Sequence, residues 1–204
     1  MSSATRPTRI IVCTHNAHKL EELGAMLRDL SIEVLSPKDF PGLPEPEETG
    51  DTFLANALIK ADSALKFTGL PALADDSGLV VPAIGGDPGV HSARYAGMTG
   101  PTKDKANRDK LVQTLAGRSQ EDRQAYFHCS LVLRLNTEQY EHFEGQCHGE
   151  IIDEERGDHG FGYDPIFFHP PENMTLAELS SEKKNSLSHR GNAIIKLRQW
   201  LDNL

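Results

Sequence analysis

Residues 9–30 read RIIVCTHNAHKLEELGAMLRDL. The first six, RIIVCT, form an apolar run of strand length, and the leucines at 20, 23, 27 and 30 then recur at helical spacing. A buried strand that runs through a short polar turn into an amphipathic helix is the opening unit of an α/β fold. The turn, Thr14, His15, Asn16, Ala17 and His18, ends at Lys19, where the helix begins.

Working outward, residues 31–35 suit a second strand, and residues 36–50, with four prolines and three glutamates, read as loop. A second helix is expected over 52–67 on Leu54, Leu58, Ala61 and Leu65, ended by Gly69 and Pro71. Thr52, Asn56 and Lys60 lie four apart on another stripe of that helix, so they can face a ligand while the leucines face the core. Residues 70–74 and 79–84 read as two strands around the turn Asp75, Asp76, Ser77, Gly78. A glycine-rich stretch that looks mobile leads to a helix over 104–115, and residues 124–136 and 139–151 read as a long hairpin. A last strand is expected at 164–168 and an amphipathic helix from about 188 to 203. Strands interleaved with helices, followed by a hairpin, predict an α/β fold with a central mixed β-sheet flanked by helices.

The chain has 204 residues, which suits one domain, or one domain with a lobe, better than two independent units. Residues 1–8 read as a flexible terminus. No apolar run is long enough for a signal peptide or membrane span, which predicts a cytoplasmic protein. Cys13, Cys129 and Cys147 lack CxxC spacing and have apolar neighbours, so they read as buried thiols. A net charge of -9 repels a long nucleic acid. It permits a small polyanion, provided a divalent cation neutralises part of the charge and lysines and backbone amides meet the rest.

Several stretches have the residues for such chemistry. The turn at 14–19 can present free amides and a helix dipole to phosphate, with Lys19 adding a full charge; an ordinary turn capped by Asn16 or Thr14 is the plainer alternative. No Walker or dinucleotide-binding glycine pattern occurs. Asp75 and Asp76 repel one another unless a cation intervenes, which suits a metal site and a base for water; a local Asp-Ser-Gly turn is the plainer alternative. Glu47 and Glu48 offer hard oxygen ligands, or they simply stabilise the following helix dipole. Phe161, Gly162, Tyr163 and Asp164 combine an aromatic face with an acceptor, although Phe161 would also suit a core. Lys184, Ser188, His189 and Arg190 gather donors near the last helix, where positive charge opposes the dipole and so favours a ligand. The remaining histidines have no metal-ligand spacing.

The ordered set THNAHK (14–19), EETG (47–50), NAxxKA (56–61), ADDSG (74–78), FGYDP (161–165) and SHRG (188–191) resembles the inosine/xanthosine triphosphate pyrophosphatase family from about residue 9 to the final helix. It departs at His15, where that family often carries glycine. The resemblance implies an elongated α/β fold whose two lobes enclose a nucleotide cleft, a homodimer, and Mg2+. It also implies hydrolysis of ITP, dITP and XTP to monophosphate and pyrophosphate, which clears them from the nucleotide pool. Carried onto this chain, Thr14, His15, Asn16, Ala17, His18 and Lys19 would bind the triphosphate, and Asp76 would be the general base with a metal-linked role. Glu47 or Glu48 would help hold Mg2+, and Lys60, Ser77 and Lys184 would contact substrate. Phe161, Gly162, Tyr163 and Asp164 would line the base pocket, with His189 and Arg190 completing it. Water oriented by Asp76 would attack the α-phosphorus. The alternatives are a pyrophosphatase for modified pyrimidine triphosphates and a binding module without turnover, which the intact acidic pair disfavours.

Overall fold

The computed structural model describes residues 5–204, the side chain of Asp29 excepted. Its strands are β1 (Arg9–Val12), β2 (Glu33–Leu35), β3 (Ala72–Val80), β4 (Gln124–Arg134), β5 (Tyr140–Ile151), β6 (Phe167–His169) and β7 (Met174–Thr175). The helices are α1 (Ala17–Leu27), α2 (Phe53–Thr68), α3 (Lys103–Thr114), α4 (Ser181–Leu187) and α5 (His189–Asp202). The strand order is β2-β1-β3-β4-β5-β6-β7. β1 pairs in parallel with β2 and β3, whereas β6 is antiparallel to β5 and β7, so the expected mixed sheet is found.

The chain divides into two compact units, the first made of Met1–Asp76, Cys129–Gly145 and Arg190–Leu204 and the second of Ser77–His128 and Gln146–His189. In the first unit, successive residues of β1 enter different cores, as the two-residue period of a strand requires. Ile10 and Val12 pack with Leu23 and Leu27 of α1, Leu73 of β3, and Ile194, Leu197 and Leu201 of α5. Ile11 packs instead with Ala57, Ala61 and Ala64 of α2 and with Ala72 and Ala74. The small residues of α2 let its backbone lie close to the sheet. Asn16 caps α1, and Thr52 caps α2 by accepting from the Ala55 amide at 3.1 Å. Thr52 therefore stands outside the helix and, unlike Asn56 and Lys60, does not share the stripe expected of it.

Residues 1–4 of the expected flexible terminus lie outside the described residues. Within the remainder, Arg6 donates to the Leu30 carbonyl at 2.9 Å and the Thr8 carbonyl accepts from Glu33, which ties this segment to the first unit.

The second unit has a core of Leu79, Leu111, Leu115, Phe127, Ile151, Ile166 and Phe167. The stretch expected to be mobile is pinned within it. Residues Gly89–Arg94 form a 3-10 turn, and the buried Ser92 hydroxyl accepts from the Leu79 amide at 2.9 Å and donates to the Gly89 carbonyl at 2.6 Å. The strand expected at 164–168 begins as a 3-10 turn, Asp164–Ile166, where Pro165 has no N–H for a ladder. β6 starts only afterwards, and β7 and α4, of two and seven residues, are too short for sequence periodicity to show. Among the described residues no helix is long and apolar enough to cross a membrane.

Candidate active site

Residues 70–84 depart from the expected pair of strands. They form not two strands about a turn but one strand, Ala72–Val80, that runs unbroken through Asp75, Asp76, Ser77 and Gly78, and the end of the expected second strand is a 3-10 turn, Pro82–Ile84. Turn residues remain extended here because each carboxylate finds a cation supplied from distant sequence, so burial is tolerated. Strand alternation then sends the two side chains to opposite faces: Asp75 follows Leu73 toward α1 and α5, and Asp76 follows Ala72 and Ala74 toward α2.

Asp75 is 1% exposed. Lys19 donates to its Oδ1, while Arg190 Nε at 3.0 Å and the Cys129 thiol at 3.1 Å meet its Oδ2. Burial and the charge of Asp75 hold the Cys129 pKa well above the usual thiol range, which keeps the sulfur protonated and able to donate. Arg190 is 1% exposed and also donates to Glu22, three residues after Lys19 on α1. Burial opposes the guanidinium charge, but Asp75 and Glu22 outweigh it, so the arginine pKa is raised. The dipole misfit at the start of α5 is thus compensated by two carboxylates within the first unit. These contacts make Arg190 a group that positions Asp75.

Asp76 is 6% exposed. Lys60 Nζ lies 2.9 Å from its Oδ1 and Asn56 Nδ2 lies 3.3 Å from its Oδ2. Burial raises its pKa above the ordinary carboxylate value, more than the charges of Lys60 and Lys19 lower it. Lys60 also donates to the Asp75 carbonyl at 2.8 Å and to Glu48 Oε1 at 3.2 Å, so three acceptors match the three donors of its ammonium. Burial disfavours that charge, yet Asp76, Glu48 and Asp75 more than offset it, and the lysine pKa is raised. Asn56 Oδ1 accepts from the Gly50 amide at 2.8 Å, which docks the acidic loop on α2. A Cβ on Gly50 would stand 2.8 Å from that same oxygen, so the close approach needs glycine. Of the two candidate glutamates, Glu48 reaches Lys60, whereas Glu47 is exposed.

At the 14–19 turn, Asn16 Oδ1 accepts from the His18 and Lys19 amides at 3.0 and 3.3 Å, and Thr14 Oγ1 accepts from Asn16. Asn16 as a cap is therefore the arrangement present, and it takes up two amides considered for phosphate. His15 is exposed, 3.9 Å from Glu45; Ala17 and His18 are exposed as well. Ser77 is the first half-buried position of β3 after five buried ones.

In the second unit, Lys184 is not at the start of the last helix but on α4, where it pairs with Asp164 at 2.7 Å with both side chains buried. Its Nζ lies 4.9 Å from the centre of the Phe161 ring. Lys183 points elsewhere, to Glu172. Asp164 also accepts from the Phe161 amide at 2.8 Å, and the Tyr163 hydroxyl donates to the Ser92 carbonyl at 2.9 Å. His189 stacks on Phe127 with ring centres 4.8 Å apart, so it and Arg190 do not form one donor pair. Cys147 lies near Asp164 and Lys184; burial first, and then Asp164, push its pKa up to about 12.

Glu22 and Cys129 join the carboxylate–cation contacts of the first unit but are not among the site residues expected from sequence, whereas Asn56, on the stripe expected to face a ligand, contacts Asp76. For Glu22 the usable signal was its three-residue offset from Lys19, which places both on one helix face.

The Ham1 family profile matches residues 10–200. The chain belongs to the Ham1 family. It is 49% identical to the dITP/XTP pyrophosphatase of Geobacter sulfurreducens, covering 95% of this chain and 96% of that one. To the dITP/XTP pyrophosphatase of Nitrosomonas europaea it is 48% identical, over 95% and 94%. A solved HAM1 protein from Coxiella burnetii superposes with a TM-score of 0.88 at 43% identity, covering 96% of this chain and 99% of that one. The Staphylococcus aureus Ham1 protein gives 0.84 at 38%, over 96% and 98%. The six motifs all fall within the span matched by the Ham1 family.

Proposed function

We propose that this chain hydrolyses deaminated purine nucleoside triphosphates, such as dITP, XTP and ITP, to the monophosphate and pyrophosphate, with Mg2+ as cofactor. The observation that carries the reading is the condition of Asp76. It is a nearly buried carboxylate with a raised pKa, held by Lys60 and Asn56 in a cluster that includes Glu48 and neighbours the Lys19–Asp75 pair. The names of the similar bacterial proteins support the substrate class.

Asp76 takes a proton from the attacking water as its oxygen bonds to the α-phosphorus. The bond from that phosphorus to the α,β-bridging oxygen breaks, and pyrophosphate leaves. A base with a raised pKa suits this proton transfer, and correct placement with charge neutralisation supplies much of the remaining acceleration. Lys19 contributes positive charge to the polyphosphate. Lys60, whose donors are engaged by protein acceptors, keeps Asp76 and Glu48 in place.

The donor set suits a hard divalent cation. Asp76 and Glu48 both direct carboxylate oxygens at one ammonium, two hard oxygen donors at one point of the kind magnesium takes alongside phosphate and water. When bound there, Mg2+ would be held by Asp76 and Glu48 and would neutralise phosphate charge.

The base belongs to Phe161, Gly162, Tyr163 and Asp164 with Lys184 and His189. A purine carbonyl at position 6 suits donors there, whereas adenine would set donor against donor at a cost of about 1–3 kcal/mol per group. The protein acts on free nucleotides as a cytoplasmic homodimer, and its net charge of -9 disfavours nucleic acid. Pyrophosphate release should be measured from dITP, XTP, dGTP, dATP, dUTP and dTTP, with and without Mg2+, alongside light scattering for the dimer. Release confined to dITP and XTP and dependent on Mg2+ is expected; preference for a pyrimidine, or binding of dITP without turnover, overturns the reading.

A further inference from the structure

Helix α3 is poorly explained by apolar packing. Its buried residues are Asn107 and Leu111, and the rest of its span is largely charged or polar. Its polar side chains nevertheless hold particular backbone groups of the second unit. Asp104 and Arg108 lie one turn apart on one face, and both reach Gly162. Asp104 Oδ2 accepts from the Gly162 amide at 3.1 Å, and Arg108 Nη1 donates to the Gly162 carbonyl at 2.8 Å.

Arg108 is itself fixed. Its Nε and Nη2 grip Glu155 through both carboxylate oxygens at 2.9 and 3.0 Å, a forked pairing that leaves the guanidinium little freedom. On the same helix, Asn107 accepts from the Ala96 amide at 2.7 Å and donates to the Ser92 carbonyl at 3.2 Å, the carbonyl that also receives the Tyr163 hydroxyl. Gly162 has φ +63, a conformation that costs other residues strain, and it has no side chain with which to anchor itself. Its orientation is set from outside, by α3.

We propose that α3 is a specificity brace: Asp104 and Arg108 are positioning residues that hold the Gly162 backbone and thereby the neighbouring Phe161 ring and Asp164–Lys184 pair against the purine base. This rests on the reading of residues 161–164 as the base site. Neither residue touches the reacting phosphorus, so loosening the brace alters base recognition more than the chemical step.

The test compares the full-length Asp104→Ala, Arg108→Ala, Arg108→Lys, Glu155→Gln and Phe161→Ala variants with the parent, using dITP and dGTP as probes and amide hydrogen exchange over residues 159–164. Arg108→Ala and Asp104→Ala are expected to raise the KM for dITP and to lower the dITP-to-dGTP ratio of kcat/KM by about tenfold or more, with kcat for dITP kept within about threefold. Exchange at Gly162 should quicken while exchange in β1 does not change. Arg108→Lys should restore part of the ratio, and Glu155→Gln should have the smallest effect. If Phe161→Ala raises KM while the α3 variants leave KM, ratio and exchange unaltered, the brace is refuted and the base site stands. If Phe161→Ala also leaves dITP kinetics unaltered, the base-site reading fails and the proposal fails with it. Loss of kcat and KM effects in equal measure across both nucleotides would reduce α3 to a structural role and overturn the proposal.

Discussion

Asp75 and Asp76 are neighbours in one strand, yet the two faces of β3 treat their charges differently. On the α1 and α5 face, Asp75 meets two full cations and a thiol, and it is locked. On the α2 face, Asp76 meets one ammonium and an amide, and burial prevails over their attraction enough to raise its pKa. Identical side chains thereby serve two purposes. The first holds distant elements together, and the second keeps a destabilised anion, the kind of environment found at functional sites and the basis of the base role proposed for it.

That contrast can be broken at several points. The largest effect on stability is expected from Asp75→Asn, which leaves Arg190 and Lys19 without their shared carboxylate in the interior. Chemical denaturation should find about 3–5 kcal/mol lost. A change below about 1 kcal/mol would mean that Glu22 alone suffices for Arg190. On the α2 face, Glu48→Gln should weaken the Mg2+ dependence of pyrophosphate release by about tenfold, because Glu48 and not Glu47 shares Lys60 with Asp76. Glu47→Gln should leave the metal titration close to that of the parent; the reverse ranking would move the metal off this face. The smallest effect is expected from Cys129→Ala, which removes a weak donor from Asp75 and should cost about 1 kcal/mol in a thermal melt with hydrolysis retained.

The sequence made much of this legible, and the exceptions have one cause. The strand–turn–helix at 9–30, the second helix and the hairpin of β4 and β5 are read from local periodicity, which tertiary packing here reinforces. Residues 75–78 look like a turn because Asp, Ser and Gly favour turns locally, whereas the groups that keep them extended lie on α1, α2 and α5. Arg190 was legible as a misplaced charge but not as a partner of Asp75, which lies 115 residues away. Likewise Thr52 had the spacing of a ligand-facing residue, and only the observed start of α2 makes it a cap. The assignment of Lys184 to Asp164 and Phe161 depends on α4, a helix too short for periodicity to reveal.

Asp76 is held poised: its ionised form is costly to the fold and, under the proposed function, is the form that takes a proton from water. A folded pKa raised above the unfolded value means that the native state binds the extra proton more tightly. The stability contributed by Asp76 is therefore full below the ordinary carboxylate pKa and is lost as pH rises through the raised one, and the proposed base role predicts activity rising over the same window. Asp76→Asn, followed by pyrophosphate release from dITP and by melting temperature across that range, tests this directly. Loss of rate by about 10²–10⁴-fold is expected, with the variant still folded at neutral pH and with a flatter dependence of its melting temperature on pH. A variant that hydrolyses dITP at the parent's rate, or that loses its activity only because it unfolds, would contradict the account.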